Sequence, residues 1–310
     1  MNSVPTPDFT IVDVSARDGL QNEANAAQLT AADKVTFIRG LAASGLTRIE
    51  AGSFVHPKVA AMANSDEVAA LLAPVAREFP AVVFSYLTPN LKGLARAQAI
   101  GAKEVAIFLA LSEEFSKANI NQTVDEAFAA ITPVVAAARA SGIRVRGYLS
   151  NVFGYTDLPF NPTLVAERSA ELLAMGCFEV SLGDTTALAT PEMTAALIAA
   201  LNARGVPLAN IALHFHDTHG RAISNVAQAY ALGIRTFDAA TGGLGGCPYA
   251  KSPKGNLALE DLLHWADAQG LRTAVTNREA LAQARRFIHE KLGKTDHRPA
   301  PGLPLSSHRN

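Results

Sequence analysis

The chain has 310 residues, of which 49% are hydrophobic and 18% are charged, and its formal net charge is −1 at pH 7. This composition is typical of a compact domain with a large core, and a single α/β barrel of this length is ordinary. The near-neutral charge gives no electrostatic reason to expect nucleic acid or an anionic membrane surface as a partner.

Cysteine usage and the N-terminal sequence indicate the compartment. Two cysteines, Cys177 and Cys247, do not make a disulfide framework, which favours a reducing environment. The first residues lack a basic region followed by an apolar run, and no apolar run reaches the roughly 20 residues that span a bilayer. We therefore expect a cytoplasmic protein with no membrane association.

Short apolar segments alternate with alanine-rich amphipathic segments along the chain, which is the pattern of repeated βα units around a parallel sheet. Strands are predicted over residues 9–14, 48–51, 82–86, 104–108, 144–149, 178–182, 211–216 and 236–240. Helices are predicted over residues 30–43, 66–77, 91–100, 124–140, 162–175, 191–203, 220–232 and 257–269, with a further helix over 277–292.

Eight βα units close a barrel without an unpaired edge strand, so a (β/α)8 TIM barrel is favoured over an open doubly wound sheet. The predicted catalytic domain covers residues 1–298, and the proline- and serine-rich tail, 299–310, is expected to be disordered. Active sites of such barrels lie at the C-terminal ends of the strands. The polar residues predicted there are Arg17, Asp18, Glu50, Asn151, Asp184, His214 and His216.

The two histidines suggest a metal site. Residues two apart on a strand point the same way, so His214 and His216 can share one ion while Phe215 faces elsewhere. Spacing alone leaves open the commoner case of a hydrogen-bonded structural pair. Asp217 as a possible acceptor, together with Asp18 at an equivalent strand end, favours ligation. Two nitrogens and a carboxylate predict Mg²⁺ or Mn²⁺ rather than structural zinc, although ligand type leaves Zn²⁺ and Fe²⁺ open.

Two charged residues near this site have alternative interpretations. Arg17 is either only an ion-pair partner of Asp18 or a guanidinium that stabilises a developing oxyanion at the barrel mouth. Glu50 either caps a loop, holds Arg17 in place or positions substrate.

A glycine-rich stretch over residues 242–256 contains Cys247. Its glycines predict a mobile loop that closes over the site, with a plain connection or a phosphate-binding loop as alternatives. Thiols are unusual in such turns, and near a metal and Arg17 the pKa of Cys247 would fall, which makes it a candidate proton donor or acceptor. Cys177, in an apolar setting, is predicted to lie in the core.

Several motifs fall in register with the predicted strand ends. They are RDGLQNE, SFVHPK, LTPNLKG, SEEFSKANIN, SLGDT, HFHDTHG, and GGLGGCPYA followed by GNLALED. Over residues 9–292 the chain resembles the 3-hydroxy-3-methylglutaryl-CoA lyases, a family of the metallolyase group of TIM barrels. The resemblance implies metal-dependent cleavage of a 3-hydroxy-3-methylglutaryl-CoA-like thioester to acetyl-CoA and acetoacetate. It also suggests a homodimer or larger assembly and a place in leucine degradation.

The resemblance implies roles for individual residues. The implied metal ligands are Asp18, His214, His216 and Asn256. The implied catalytic residues are Arg17 facing the thioester oxygen, Cys247 as the loop acid/base, Glu50 and Asp184 as active-site carboxylates, and His214 or Asp184 assisting deprotonation. The implied substrate-binding residues are Arg17, Gln21 and Asn151, and Glu260 would support the loop region.

The chain also departs from the family pattern. Its 151–159 segment replaces Cys-Val-x-Gly-Cys-Pro-Tyr-Glu-Gly, and Leu109 and Leu111 stand where small residues are usual. Such leucines would reshape an adjoining pocket, so the acyl group stays open. His219 and Arg221 replace the common Tyr and Gln. Lys251 and Lys254 make the predicted closing loop more basic than is usual in the family, and they either meet CoA phosphates or are solvated.

Two other functions are compatible with these motifs. A condensing synthase of the isopropylmalate or homocitrate type would use the same barrel, metal and arginine, but such enzymes typically continue well past the barrel. A non-catalytic acyl-CoA-binding relative is the other alternative, and the joint presence of Asp18, His214, His216 and Cys247 argues against it.

Overall fold

The computed structural model describes residues 6–245 and 255–295. Eight parallel strands form a closed barrel in chain order, and the last strand pairs with the first. The strands are β1 (Thr10–Asp13), β2 (Arg48–Ser53), β3 (Val83–Leu87), β4 (Glu104–Ala110), β5 (Arg144–Ser150), β6 (Glu179–Gly183), β7 (Ile211–His214) and β8 (Thr236–Ala239). The predicted TIM barrel is therefore confirmed.

Helices follow the strands and cover the outside of the barrel. They are α1 (Ala31–Ala43), α2 (Ser65–Glu78), α3 (Leu91–Ala99), α4 (Glu113–Ile120), α5 (Val124–Ala140), α6 (Pro162–Met175), α7 (Pro191–Ala203), α8 (Ala222–Ala231), α9 (Leu259–Ala268) and α10 (Arg278–Lys291). Local sequence sets their starts. Thr30 and Thr123 form capping boxes with Asp33 and Glu126, which satisfy main-chain N–H groups that lack helical partners.

The predicted strands and helices agree with the structure apart from small shifts at their ends, with two differences. The short helix α4 is not among the predicted helices, because its eight residues are too few to show an apolar periodicity. Its ends are nevertheless encoded, because Ser112 accepts a hydrogen bond from the Phe115 N–H and Asn121 ends the helix with φ 55°. The strand predicted to reach His216 ends at His214, where pairing with β8 stops.

The interior of the barrel holds an ion-pair network on residues early in the strands. Arg48 lies 2.9 Å from Glu179 and 3.2 Å from Glu104, and Arg146 lies 2.6 Å from Glu179. Buried charges persist only when they are paired in this way. The network therefore lies below the C-terminal mouth, in the part of the barrel that parallel-strand enzymes use for support.

Some predictions fall on other parts of the chain. The predicted tail, 299–310, and Cys247 lie outside the described residues. Cys177 is buried, as predicted. Among the helices in the described ranges, none combines the length and apolarity that crossing a bilayer requires.

Candidate metal centre

Three side chains of metal-ligand type meet at the mouth of the barrel. Nε2 of His214 lies 3.3 Å from Nε2 of His216 and 4.0 Å from Oδ2 of Asp18. One ligand atom from each residue lies within 4.8 Å of the other two. A single ion between them would reach all three.

Two distant chain segments supply these groups. Asp18 lies on a short helical turn, Ser15–Gly19, directly after β1, and the Gly19 N–H bonds back to the Val14 carbonyl at 3.0 Å. His214 is the last residue of β7. Phe215 is 1% exposed and packs against another aromatic ring, so the two histidines share the opposite side, as the period-two argument predicts.

The hydrogen-bond partners of the two Nδ1 atoms determine whether the two Nε2 atoms carry hydrogens or lone pairs. His214 Nδ1 lies 3.2 Å from Asp238 Oδ2, and His216 Nδ1 lies 3.1 Å from the Thr185 carbonyl. Burial opposes ionisation of Asp238, but the charge of Arg146 holds its pKa below the usual range. Both neighbours are thus acceptors, so each Nδ1 carries the hydrogen and the neutral rings face each other with Nε2 lone pairs. A proton or a cation is required between them.

Asn256 supplies a fourth polar group. Its Nδ2 donates to Asp18 Oδ2 at 2.8 Å and to the Leu244 carbonyl at 3.0 Å, whereas its buried Oδ1 has no hydrogen-bond partner among the described residues. Gly245 permits this approach, because a Cβ there would lie 2.6 Å from Asn256 Nδ2 and the residue has φ +101°. An unsatisfied oxygen beside two nitrogens and a carboxylate, with no thiolate, fits a hard divalent cation.

The pKa shifts of Asp18, His214 and His216 follow from their burial and their mutual contacts. Burial opposes ionisation of Asp18, but the charges of Arg17 and His214 lower its pKa to about 2. Burial also disfavours a charge on His214, yet the hydrogen bond that its Nδ1 donates to Asp238 and the charge of Asp18 raise its pKa above the usual value. Burial and the neighbouring His214 lower the pKa of His216 to about 4. The two pKa shifts run in opposite directions, so a proton is held more readily by His214 than by His216.

Metal affinity should consequently depend on pH with the slope of one proton. Between about pH 4, where His216 begins to titrate, and the raised pKa of His214, apparent affinity should fall about tenfold for each unit of acidification. Above the pKa of His214 it should level off, because no proton is left to displace. Mn²⁺ titrations followed by electron paramagnetic resonance measure this slope. A slope of two protons over that range would contradict it.

Arg17 connects the metal centre with a buried carboxylate. Its Nε donates to Glu50 Oε2 at 2.6 Å, and its Nη1 donates to Asp18 Oδ1 at 2.8 Å. The guanidinium also lies over the ring of Tyr148, 5.1 Å from its centroid. Glu50 is fully buried and lies off the cavity wall, and it accepts hydrogen bonds from Arg17 and Tyr148.

Three other predicted site residues, Gln21, Asn151 and Asp184, have different surroundings. Gln21 lines the cavity. Asn151 is fully buried, with φ 62°, and within the described ranges its side-chain Oδ1 and Nδ2 have no hydrogen-bond partners. Asp184 accepts hydrogen bonds from the N–H groups of Leu188 and Ala189, and burial raises its pKa to about 7.

Of Gln21, Asn151 and Asp184, only Gln21 borders the cavity. Glu260 accepts from the Gly242 N–H at 2.8 Å and so holds the turn that begins the glycine-rich stretch.

Four residues around the centre have no assigned role in the motif analysis: Arg146, Tyr148, Thr185 and Asp238. Arg146 and Tyr148 are two apart on β5 and are buried. These two residues have the same period-two spacing as the histidine pair, which places both side chains on one face of the strand. Thr185 acts through its main-chain carbonyl, which no sequence pattern reveals.

A cavity of about 640 Å³ opens above these groups. Its polar floor includes Arg17, Asp18, His214, His216 and Tyr148. Its outer wall includes the apolar residues Val55, Leu87, Phe108, Phe115 and Ile131.

The family departures fall unequally on this cavity. Leu109 lies on its wall, whereas Leu111 is buried elsewhere. Ser150 lines it, but none of residues 151–159 does. The expected reshaping of the pocket therefore concerns Leu109, and the expectation for Leu111 and the 151–159 segment is not met by direct contact.

Known proteins share both sequence and fold with this chain. The HMGL-like family model matches residues 8–288. The hydroxymethylglutaryl-CoA lyase of Pseudomonas mevalonii is 46% identical over 305 residues, which cover 96% of each chain. The 3-hydroxy-3-isohexenylglutaryl-CoA/hydroxymethylglutaryl-CoA lyase of Pseudomonas aeruginosa is 45% identical over 92% of this chain and 93% of its own.

A solved structure agrees. The crystal structure of hydroxymethylglutaryl-CoA lyase from Pseudomonas aeruginosa has a TM-score of 0.88 and 44% identity, and the match covers 95% of this chain and 96% of that one. Fold and site define a TIM barrel with a candidate divalent-metal centre at its mouth. The chain belongs to the HMGL-like family, and the resemblance seen in its motifs is confirmed.

Proposed function

We infer that this chain is a lyase that cleaves 3-hydroxy-3-methylglutaryl-CoA to acetyl-CoA and acetoacetate. The observation that carries this inference is the group Asp18, His214 and His216 at the floor of a 640 Å³ cavity, with Arg17 beside it. The names of the similar proteins support the same reaction. The acyl-CoA thioester is the proposed partner.

The residues that would hold Mg²⁺ or Mn²⁺ are Asp18, His214, His216 and Asn256. When bound, the ion would polarise the tertiary hydroxyl of the substrate and lower its pKa. Arg17 lies on the cavity wall with its guanidinium fixed by Glu50. It would donate to the thioester oxygen and stabilise the enolate that leaves when the carbon–carbon bond breaks.

Proton transfer completes the proposed reaction. Of the two groups considered for deprotonation, His214 lines the cavity and Asp184 does not. Asp184 more readily supports the turn after β6, because its oxygens already accept main-chain N–H groups. Cys247 would deliver a proton to the enolate carbon to form acetyl-CoA.

Direct assay tests the proposed reaction. Purified protein with Mg²⁺ or Mn²⁺ should convert 3-hydroxy-3-methylglutaryl-CoA to acetoacetate and acetyl-CoA in equal amounts, measured by chromatography. Thioesters with longer 3-alkyl branches should be included, because Leu109 and the apolar wall border the cavity. Absence of cleavage with every thioester would refute the proposal.

Replacement of Cys247 by serine tests the loop acid/base. We expect Mn²⁺ affinity to be unchanged and kcat to fall by about 10²–10⁴-fold, the usual contribution of a positioned proton-transfer group. Cys177→Ser is the control, because Cys177 is buried away from the cavity; its kcat per folded molecule should stay at the wild-type value. Full activity of Cys247→Ser would remove the thiol from the mechanism.

The biological setting is also a proposal. A cytoplasmic location is supported by the low cysteine content and by Cys177 being a free thiol. A homodimer or larger assembly is proposed from the family resemblance, and sedimentation analysis tests it.

A further inference from the structure

Arg146, on β5, lies below the cavity floor, and all three of its guanidinium nitrogens donate hydrogen bonds. Its side chain is 1% exposed and does not line the cavity. Nε donates to Glu179 at 2.6 Å, Nη2 donates to Asp238 Oδ1 at 2.6 Å, and Nη1 donates to Tyr148 Oη at 2.6 Å and to Asp238 Oδ2 at 3.1 Å. One buried cation thus fixes three side chains from three strands.

One branch of these contacts leads to His214. Both carboxylate oxygens of Asp238 accept hydrogen bonds from Arg146, and Oδ2 also accepts from Ser181 Oγ at 2.8 Å. Its Oδ2 faces His214 Nδ1 at 3.2 Å. Because Arg146 and Ser181 hold Asp238 in place, Asp238 fixes the plane of the His214 imidazole and keeps the hydrogen on Nδ1. The Nε2 atom of His214 therefore faces the candidate metal centre.

The other branch leads to Arg17. Since Arg146 donates to Tyr148 Oη, the phenolic hydrogen is free to point to Glu50 Oε2, 3.3 Å away. The same Glu50 oxygen accepts from Arg17 Nε at 2.6 Å. Arg17 in turn binds Asp18, the carboxylate of the candidate metal centre.

The two branches end on opposite sides of one site, at His214 and at Arg17 with Asp18. We propose that Arg146 is a positioning residue that aligns a metal-ligating histidine and the oxyanion-stabilising arginine at the same time. This inference rests on the proposed function, but it concerns a residue that does not line the cavity.

A second buried arginine separates positioning from simple support of the fold. Arg48, on β2, binds Glu179 through two nitrogens and Glu104 through one, so it belongs to the same network. Among the hydrogen bonds in the described part of the chain, none joins Arg48 to Asp238 or Tyr148. If the network serves stability alone, equivalent changes at Arg48 and Arg146 should have equivalent consequences.

The experiment compares Arg146→Lys with Arg48→Lys. Lysine keeps the charge but lacks the planar fork, so it cannot hold Asp238 and Tyr148 together. Mn²⁺ binding without substrate is measured by electron paramagnetic resonance, and kcat and KM are measured for 3-hydroxy-3-methylglutaryl-CoA. We expect Arg146→Lys to weaken Mn²⁺ binding and to lower kcat by about 10–100-fold each, with KM changed less, and Arg48→Lys to stay within about threefold of wild type.

A double-mutant cycle gives a second test that does not depend on overall stability. If Arg146 acts on the ion through Asp238, the loss of Mn²⁺ affinity in Arg146→Lys with Asp238→Asn should be smaller than the product of the two single losses. Equal effects at Arg146 and Arg48, or fully independent effects in the cycle, would overturn the inference. Wild-type protein that neither binds Mn²⁺ nor cleaves the thioester would instead refute the proposed function itself.

Discussion

Replacement of His216 by alanine is expected to abolish both metal binding and turnover. The substitution removes one of the two ring nitrogens that face each other at 3.3 Å in the candidate metal centre. Loss of an outer partner alone typically costs about 10–100-fold in metal affinity, so loss of a direct ligand should cost at least about 100-fold. Mn²⁺ titration and acetoacetate production measure the two effects.

His219 provides the matched control, since it lies on the same segment and is exposed. His219→Ala should bind Mn²⁺ and cleave the thioester like the wild type. If His216→Ala retained wild-type affinity, or if both variants lost it equally, the histidine pair would not be the metal site.

Replacement of Arg17 by lysine is expected to lower kcat by about 10²–10³-fold, the usual loss for removal of one oxyanion-stabilising donor. Lysine keeps the positive charge, but it cannot bond Glu50 and Asp18 together as Arg17 does at 2.6 and 2.8 Å. Mn²⁺ affinity should fall much less, because Asp18 and both histidines stay in place. Steady-state kinetics together with metal titration separate the two effects.

Arg39→Lys applies the same chemical change at an exposed site. Arg39, on α1, binds Glu78 through two nitrogens, at 2.9 and 2.6 Å, and neither residue lines the cavity. Its kinetics should be unchanged, because exposed ion pairs contribute little to stability and this one does not touch the cavity. A kcat for Arg17→Lys within a few fold of wild type would rule out its role in stabilising the enolate.

The barrel could be predicted because its local and global signals agree. Each strand is a short apolar run, and each helix has its own cap or periodicity, so no long-range information is needed to place them. The helix α4 is the exception. It has eight residues, and its signal is confined to the Ser112 cap and the left-handed Asn121 rather than to an apolar stripe.

The candidate site divides in the same way. His214 and His216 carry a local signal, since period two on a strand aligns their side chains. Asp238 and the Thr185 carbonyl, which orient them, come from other strands and loops and are specified only by closure of the barrel. Asn256 has no local signal either, and the family resemblance was needed to point to it.

Burial also separates the carboxylates in a way that position in sequence does not. The sequence predicts both Glu50 and Asp184 at strand ends, but Glu50 lies within β2 and only Asp184 directly follows its strand; both are buried. Only the structure shows that Glu50 bonds Arg17 while Asp184 bonds the main chain of Leu188 and Ala189. Strand-end placement thus finds polar residues near a mouth but does not tell which of them face it.

The central claim is that one divalent ion at Asp18, His214 and His216 is required for thioester cleavage. Protein stripped with a chelator and dialysed should form no acetoacetate from 3-hydroxy-3-methylglutaryl-CoA. Stepwise addition of Mn²⁺ should restore activity in proportion to bound ion, with saturation at one ion per chain. Full activity of the stripped protein, or saturation with Mn²⁺ without cleavage, would contradict the claim.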